Sequence, residues 1–319
     1  MTRKEGFIEI DKMLNEIDVD TTSIRTIRDS NKITRIKSGS SRIHFSFIYN
    51  GTKYYYKSDP NSNPYSELLI NCLANDYGIP SVLYDLATVK DTKGVISKDF
   101  TKPNTNIISG KDIIVEYIKY LNKKNNIDDI EDILEHINNL EDIWNALDYH
   151  YRDLPNKLEI VSNLMNQIVD LFIFDILTYQ SDRHFNNWSI IEEDDNISLA
   201  PIYDNELTAL VDSEYSRLMP ASYVLAVDSF SLDDINKELE KFIDVSEFNY
   251  KELIKDKMWI ISNDNLKKAF SDIEKKIGYP IPKKIKENSL NLFREHRNNL
   301  EEVLNIKKEK SDIYAGKSR

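Results

Sequence analysis

"TYQSDRHFNNWSI" occupies residues 178–190, and its polar centre follows directly on "NLMNQIVDLFIFDIL" at 163–177. The latter is apolar on nearly all sides from Ile168 to Leu177, as a helix in the middle of a domain reads. A polar cluster at the end of such a helix is either an ordinary loop or a set of side chains on a rigid support. Asp and Asn favour turns by themselves, so Asp182 or Asn187 alone decides little. The residues beyond carry more weight. Two short strands, 188–191 and 197–200, flank the acidic turn "EEDDN", and Asp204 follows in "LAPIYDN". If these strands pair, the hairpin returns Asp204 to Asn187.

Two carboxylates and one amide then converge at a strand mouth. Oxygen donors of this kind suit Mg²⁺, which usually shares its coordination with a phosphate. Phosphoryl transfer needs such a set: one Asp to orient the attacking hydroxyl, and an Asn and a second Asp to hold metal ions on the phosphates. The spacing from Asp182 to Asn187 equals that of the protein-kinase catalytic loop, although Arg183 and His184 follow the Asp instead of preceding it. His184 is a poor Mg²⁺ ligand, because that ion disfavours nitrogen. It reads as a loop support that hydrogen-bonds backbone and fixes Asp182. Arg183 reads as the partner of either a carboxylate or a phosphorylated residue. Trp188 and the Tyr54–Tyr56 run read as packing.

Working outward, the N-terminal third is strand-rich. Residues 7–17 pattern as a short amphipathic helix. Strands are expected at 33–38, 42–49 and 52–57, with Ile43, Phe45, Phe47 and Tyr49 on one face. Asn50-Gly51 between the last two is the favoured pair for a tight type I′ hairpin. A helix over 65–78 ends at Gly78, with Pro80 as a stop signal. Strands at 84–90 and 94–100 follow. "TKPNTNIISG" (101–110) reads as a polar connector. Beyond it the pattern is helical: 110–122, 128–138, 140–150, 156–180, 231–242, 246–255, 263–277 and 284–305. The expected fold is therefore α+β and two-lobed: a small β-rich lobe with one main helix (1–100), the connector, a helical lobe (111–306) and a charged tail (307–319).

"SDRHFNNWSII" followed by "LAPIYDN" resembles the HipA-like serine/threonine kinases, whose motif is an Asp-Arg-His loop, an Asn five residues after the Asp, and a later Pro-x-Tyr-Asp. It is similar, more distantly, to the phosphoinositide-kinase loop. The resemblance implies a protein-kinase-like fold with Asp182 as the catalytic residue and Asn187 and Asp204 as metal ligands. It also implies that Lys57, ending the strand "YYYK", holds ATP phosphates, and that Glu67 on the next helix pairs with it. "SGSSR" (38–42) occupies the family's short phosphate loop, which places Gly39, Ser40 and Ser41 at the nucleotide and makes the two serines candidates for autophosphorylation. "GVISKDF" would lead into the adenine hinge. With some 35 residues before the phosphate loop, the chain looks like the short stand-alone branch of CtkA-type and HipT-type kinases. The implied cofactors are ATP and Mg²⁺. The implied partners are a protein substrate with Ser or Thr and, by family habit, an antitoxin or other regulatory protein.

Bulk properties exclude several classes. The 319 residues are ample for a substantial core, and 40% of them are hydrophobic. A net charge of -12 argues against direct nucleic-acid binding, which needs clustered Lys and Arg. The single cysteine, Cys72, rules out an intrachain disulfide and a Cys-based metal site. "MTRKEGFIEIDKML" breaks its apolar run with charges, so no signal peptide is expected, and a cytoplasmic location is. No membrane contact is expected. Two other readings share the motif: a lipid or small-molecule kinase, and a kinase-fold binding module without catalysis. The absence of a basic amphipathic helix in the sequence argues against a membrane substrate.

Overall fold

A computed structural model describes residues 3–36, 42–59, 62–125, 140–180, 183–193, 196–205, 211 and 250–304. Among these, the small lobe is built on a seven-stranded sheet in the order β1-β2-β6-β7-β5-β4-β3. Its strands are β1 (Arg3–Lys4), β2 (Phe7–Glu9), β3 (Ile33–Arg35), β4 (Ile43–Tyr49), β5 (Thr52–Ser58), β6 (Tyr84–Val89) and β7 (Thr92–Lys98). The β4–β5 hairpin turns at Asn50 and Gly51, both at positive φ (49° and 74°), as a type I′ turn requires.

Period-two alternation divides this sheet. Phe45 and Phe47 on β4, with Tyr54 and Tyr56 on β5, face an outer core shared with Ile10, Met13 and Leu14. The intervening residues of the same strands therefore face the other way, and among them are His44, Tyr55 and Lys57. His44 and Lys57 are direct cross-strand partners.

The expected helix at 7–17 is divided. Phe7–Glu9 is a strand, and only α1 (Asp11–Glu16) is helical. Ile8 pairs with Ala87 in parallel, so a long-range ladder overrides the local helical periodicity. A further helix, α2 (Ile24–Asp29), has no counterpart among the expected elements; Ser23 and Thr26 close it with a reciprocal capping box. α3 (Tyr65–Tyr77) ends at Gly78, whose φ of 94° needs a residue without Cβ.

The stretch expected to be a plain connector carries β8 (Asn106–Ser109) and leads straight into α4 (Gly110–Asn125). β8 pairs with β9 (Ser189–Glu193), which pairs with β10 (Asn196–Leu199). The expected hairpin is thus part of a three-stranded sheet. The remaining described helices are α5 (Leu140–His150), α6 (Lys157–Thr178), α7 (Tyr250–Lys257), α8 (Asn263–Ile277) and α9 (Lys283–Val303). The helices expected at 128–138 and 231–242 and the tail at 307–319 lie outside the described residues.

α6 is the central support. It is long and apolar enough to cross a bilayer by length and composition, yet most of it is buried by the protein itself. Val161, Leu164, Ile168, Leu171, Phe172, Ile173 and Phe174 are all inaccessible or nearly so. One continuous core runs from this helix through α3 to the inner face of the small-lobe sheet. Gly110, just after β8, packs tightly on Trp188: a Cβ there would lie 2.3 Å from the Trp188 ring.

Candidate functional site

The cleft between the lobes has a volume of about 540 Å³. Its walls are mixed: Ile36, Ile43, Val82 and Phe100 are apolar, and His44, Lys57, Asn187 and Asp204 are polar.

Each polar group is placed by a different element. Lys57 stands near the end of β5 on the cleft face and is 12% exposed. Its Nζ is ion-paired with Glu67 of α3 and lies 2.6 Å from Asp204 Oδ1. The same ammonium sits over the Tyr84 ring, 5.3 Å from its centroid. Glu67 is buried behind Lys57 at 1% exposure, whereas Asp204 keeps 35% of its side chain open to the cleft. Burial pushes the Asp204 carboxyl up, but Lys57, His44 and His184 together outweigh it and hold it at about 2. Burial and the nearby Lys57 lower His44 to about 4, so its imidazole is neutral at pH 7.

The loop after α6 starts with a backbone feature. Tyr179 takes the left-handed conformation (φ 58°), and Gln180 N–H returns to Asp175 O at 3.0 Å. Asp204 is left-handed as well (φ 59°), and the Gln180 amide donates to its carbonyl at 3.1 Å. Non-glycine residues in this region are uncommon and concentrate where a site over-determines them.

Arg183 joins the two halves of the loop system. It is fully buried, and its five N–H donors all have acceptors. Nε and Nη2 form a fork on Asp175 (2.8 and 3.1 Å). Nη1 reaches Asn187 O (2.7 Å) and Tyr203 O (3.1 Å), and Nη2 also reaches Asn205 Oδ1 (2.6 Å). One guanidinium therefore grips the backbone of Asn187 and the residues on both sides of Asp204. Burial pushes the Asp175 carboxyl up, and Arg183 beside it opposes that shift.

Asn187 and Asp204 could hold a divalent ion. Among the described residues no cluster of three or more His, Cys, Asp or Glu forms a metal cage. One amide and one carboxylate facing a cleft fit Mg²⁺ shared with phosphate oxygens, and do not fit a protein-only metal centre.

A search of solved structures shows what this architecture is similar to. The Helicobacter pylori proinflammatory kinase CtkA superposes with a TM-score of 0.53 at 18% identity, over 82% of this chain and 92% of that one. The fold of this chain is similar to the fold of that kinase. The Shewanella oneidensis HipA protein, solved with HipB and operator DNA, aligns over 93% of this chain and 71% of that chain, at 13% identity and a TM-score of 0.47. No family model matches the chain, and no curated protein matches it.

Within this kinase-like fold, Lys57, Asn187 and Asp204 line the cleft, and Glu67 is buried behind Lys57. Asp182 and the Gly39, Ser40 and Ser41 loop lie outside the described residues. Of the two partners open to Arg183, the structure shows the carboxylate, Asp175. His184 bonds backbone as expected, its Nδ1 accepting from Asn186 N–H at 3.1 Å. Trp188 is buried packing, but Tyr55 departs from that expectation, because it lines the cleft while Tyr54 and Tyr56 are core. Sequence reasoning missed Asp175, Asn205 and His44. Asp175 had a usable signal: a carboxylate inside an apolar run must find a partner, and Arg183 lies eight residues on.

Proposed function

We propose that the chain is an ATP- and Mg²⁺-dependent serine/threonine protein kinase. The observation that carries this reading is Lys57, bound at once to Glu67 behind it and to Asp204 across the cleft. A lysine so placed can exchange the Asp204 contact for nucleotide phosphates while Glu67 keeps it aimed. The apolar part of the cleft lining suits a purine, and residues 97–101 belong to the same lining.

In this reading Asn187 and Asp204 hold the metal side of the triphosphate, and Arg183 fixes their spacing. Mg²⁺, when bound, would neutralise the charge on the β- and γ-phosphates. Asp182 orients the substrate hydroxyl and accepts its proton as the oxygen–phosphorus bond forms; the bond to the ADP oxygen breaks in line. Gly39, Ser40 and Ser41 are the phosphate loop of this reading, and the two serines are its candidates for autophosphorylation. The protein substrate, and an antitoxin or other regulatory partner, belong to the same proposal.

The test is incubation with Mg·ATP followed by intact-mass measurement of the chain and of a Ser/Thr peptide panel. Phosphate gain by the wild type, lost in Asp182→Gln and Asp204→Asn, is the expected result. Equal gain in Asp182→Gln would remove that residue from its role. Transfer to lipid vesicles or small alcohols with none to protein would overturn the protein-kinase reading. Absence of any transfer, with no thermal shift by Mg·ATP, would leave a binding module.

A further inference from the structure

Glu67 does more than pair with Lys57. Its Oε1 accepts the Asn205 backbone N–H at 3.0 Å, and its Oε2 accepts from Asn205 Nδ2 at 3.3 Å. The other end of that amide, Oδ1, accepts from Arg183 Nη2 at 2.6 Å. The orientation of the amide is dictated by its neighbours: a guanidinium can only donate and an ionised carboxylate only accept. Asn205 is 2% exposed, so water does not substitute for these bonds.

The contacts form one unbroken buried chain: Asp175, Arg183, Asn205, Glu67, Lys57. Its first three members belong to the helical lobe and its last two to the small lobe. No other polar side chain among the described residues hydrogen-bonds Glu67 besides Asn205 and Lys57. The carboxylate that aims Lys57 is therefore itself aimed from the opposite lobe.

We infer that Asn205 is a positioning residue, which sets the register of the Lys57–Glu67 pair against the Arg183–Asp175 pair. It touches no reacting atom and acts through Glu67. Its geometric part stands on the hydrogen bonds alone. Its catalytic consequence rests on the kinase reading, in which a displaced Lys57 ammonium grips nucleotide phosphates less well.

The experiment separates the two. The 319-residue wild type, Asn205→Ala and Asn205→Asp are pulse-labelled with limiting acetic anhydride, and Lys57 is quantified by peptide mass spectrometry against exposed Lys98 on the neighbouring strand. Thermal melts run in parallel. Asn205→Asp keeps the acceptor for Arg183 while turning a like charge on Glu67, so it serves if Asn205→Ala does not fold. Lys57 labelling rises about tenfold relative to Lys98 in either variant, the factor one lost charge-assisted hydrogen bond is worth.

Kinetics give the second readout. The variants raise the KM for ATP as well as lowering kcat. A residue needed only for folding would lower the active fraction and leave KM where it was. Unchanged Lys57 labelling in both single variants overturns the inference, whatever happens to the melting temperature. Altered labelling in a protein whose wild type transfers no phosphate leaves the positioning role standing and removes the kinase reading.

Discussion

The small lobe and the helical lobe each bury one cation at the site, and they do it in opposite ways. Arg183 is enclosed with an acceptor for each of its five donors, two on a carboxylate and three on neutral oxygens. Lys57 is 12% exposed, and one of its carboxylates, Asp204, opens onto the cleft. Arginine's planar fork suits a saturated, permanent site, and lysine's compact ammonium suits exchange of partners. One lobe supplies a fixed frame, and the other supplies a contact that a ligand can take over.

The largest expected effect tests the frame. Arg183→Met leaves Asp175 buried without a counter-charge and should cost about 3–5 kcal/mol of stability. Urea unfolding measures it, and a loss below about 1 kcal/mol would put Arg183 on the same footing as an exposed ion pair. Lys57→Met is the counterpart. Glu67 retains both Asn205 donors, so stability should fall by only about 1–2 kcal/mol. Phosphate transfer should fall by about 100-fold or more, as when a preorganised charge is removed from a transition state. A Lys57→Met protein that melts early and still transfers phosphate would erase the contrast.

Two glycines sharpen the comparison, one behind each half of the site. A Cβ on Gly94 would lie 2.2 Å from the Lys57 carbonyl, and one on Gly110 would lie 2.3 Å from the Trp188 ring. Each change to Ala should cost about 1–3 kcal/mol through overpacking. Gly94→Ala should also weaken ATP binding, because the obstacle there is the Lys57 backbone. Titration with ATP beside thermal melts separates the two effects.

At neutral pH the smallest effect concerns a third buried base. His296 donates to Ile176 O near the end of α6, and burial, together with the positive charge of Arg297, lowers it to about 3. It stays neutral when folded, while the unfolded chain takes up a proton below its ordinary value of 6.5. Stability from this residue is therefore unchanged above pH 6.5 and lost as pH falls toward 3, by about 1.4 kcal/mol per unit. Urea unfolding at several pH values should give His296→Gln a flatter profile than the wild type. Equal slopes would mean that His296 takes its proton while folded.

Much of this is legible in the amino-acid sequence alone. Alternation in "RIHFSFIY" and "TKYYYK", with Asn-Gly between them, determines a hairpin and the face on which Lys57 stands, because both are local and period-two. The mostly apolar run from Ile168 to Leu177 determines a central helix, and Gly78 the end of another. The spacing of Asp182, Asn187 and Asp204 is what motivates the proposed phosphoryl transfer.

Other features are settled only by tertiary contact. Residues 7–9 carry a helical pattern and form a strand because β6 offers Ile8 a ladder partner. Asn106–Ser109 reads as a polar link and pairs with β9 for the same reason. Asp175 is hidden inside its apolar run, and Asn205 passes as the neighbour of a more interesting aspartate. Neither has a periodicity or a motif of its own. Their meaning lies in Arg183 and Glu67, and Glu67 stands 138 residues from Asn205 in the chain. A linear pattern records what one segment can do alone. Whether a buried polar group is satisfied depends on which distant segment folds against it, and only the folded chain decides that.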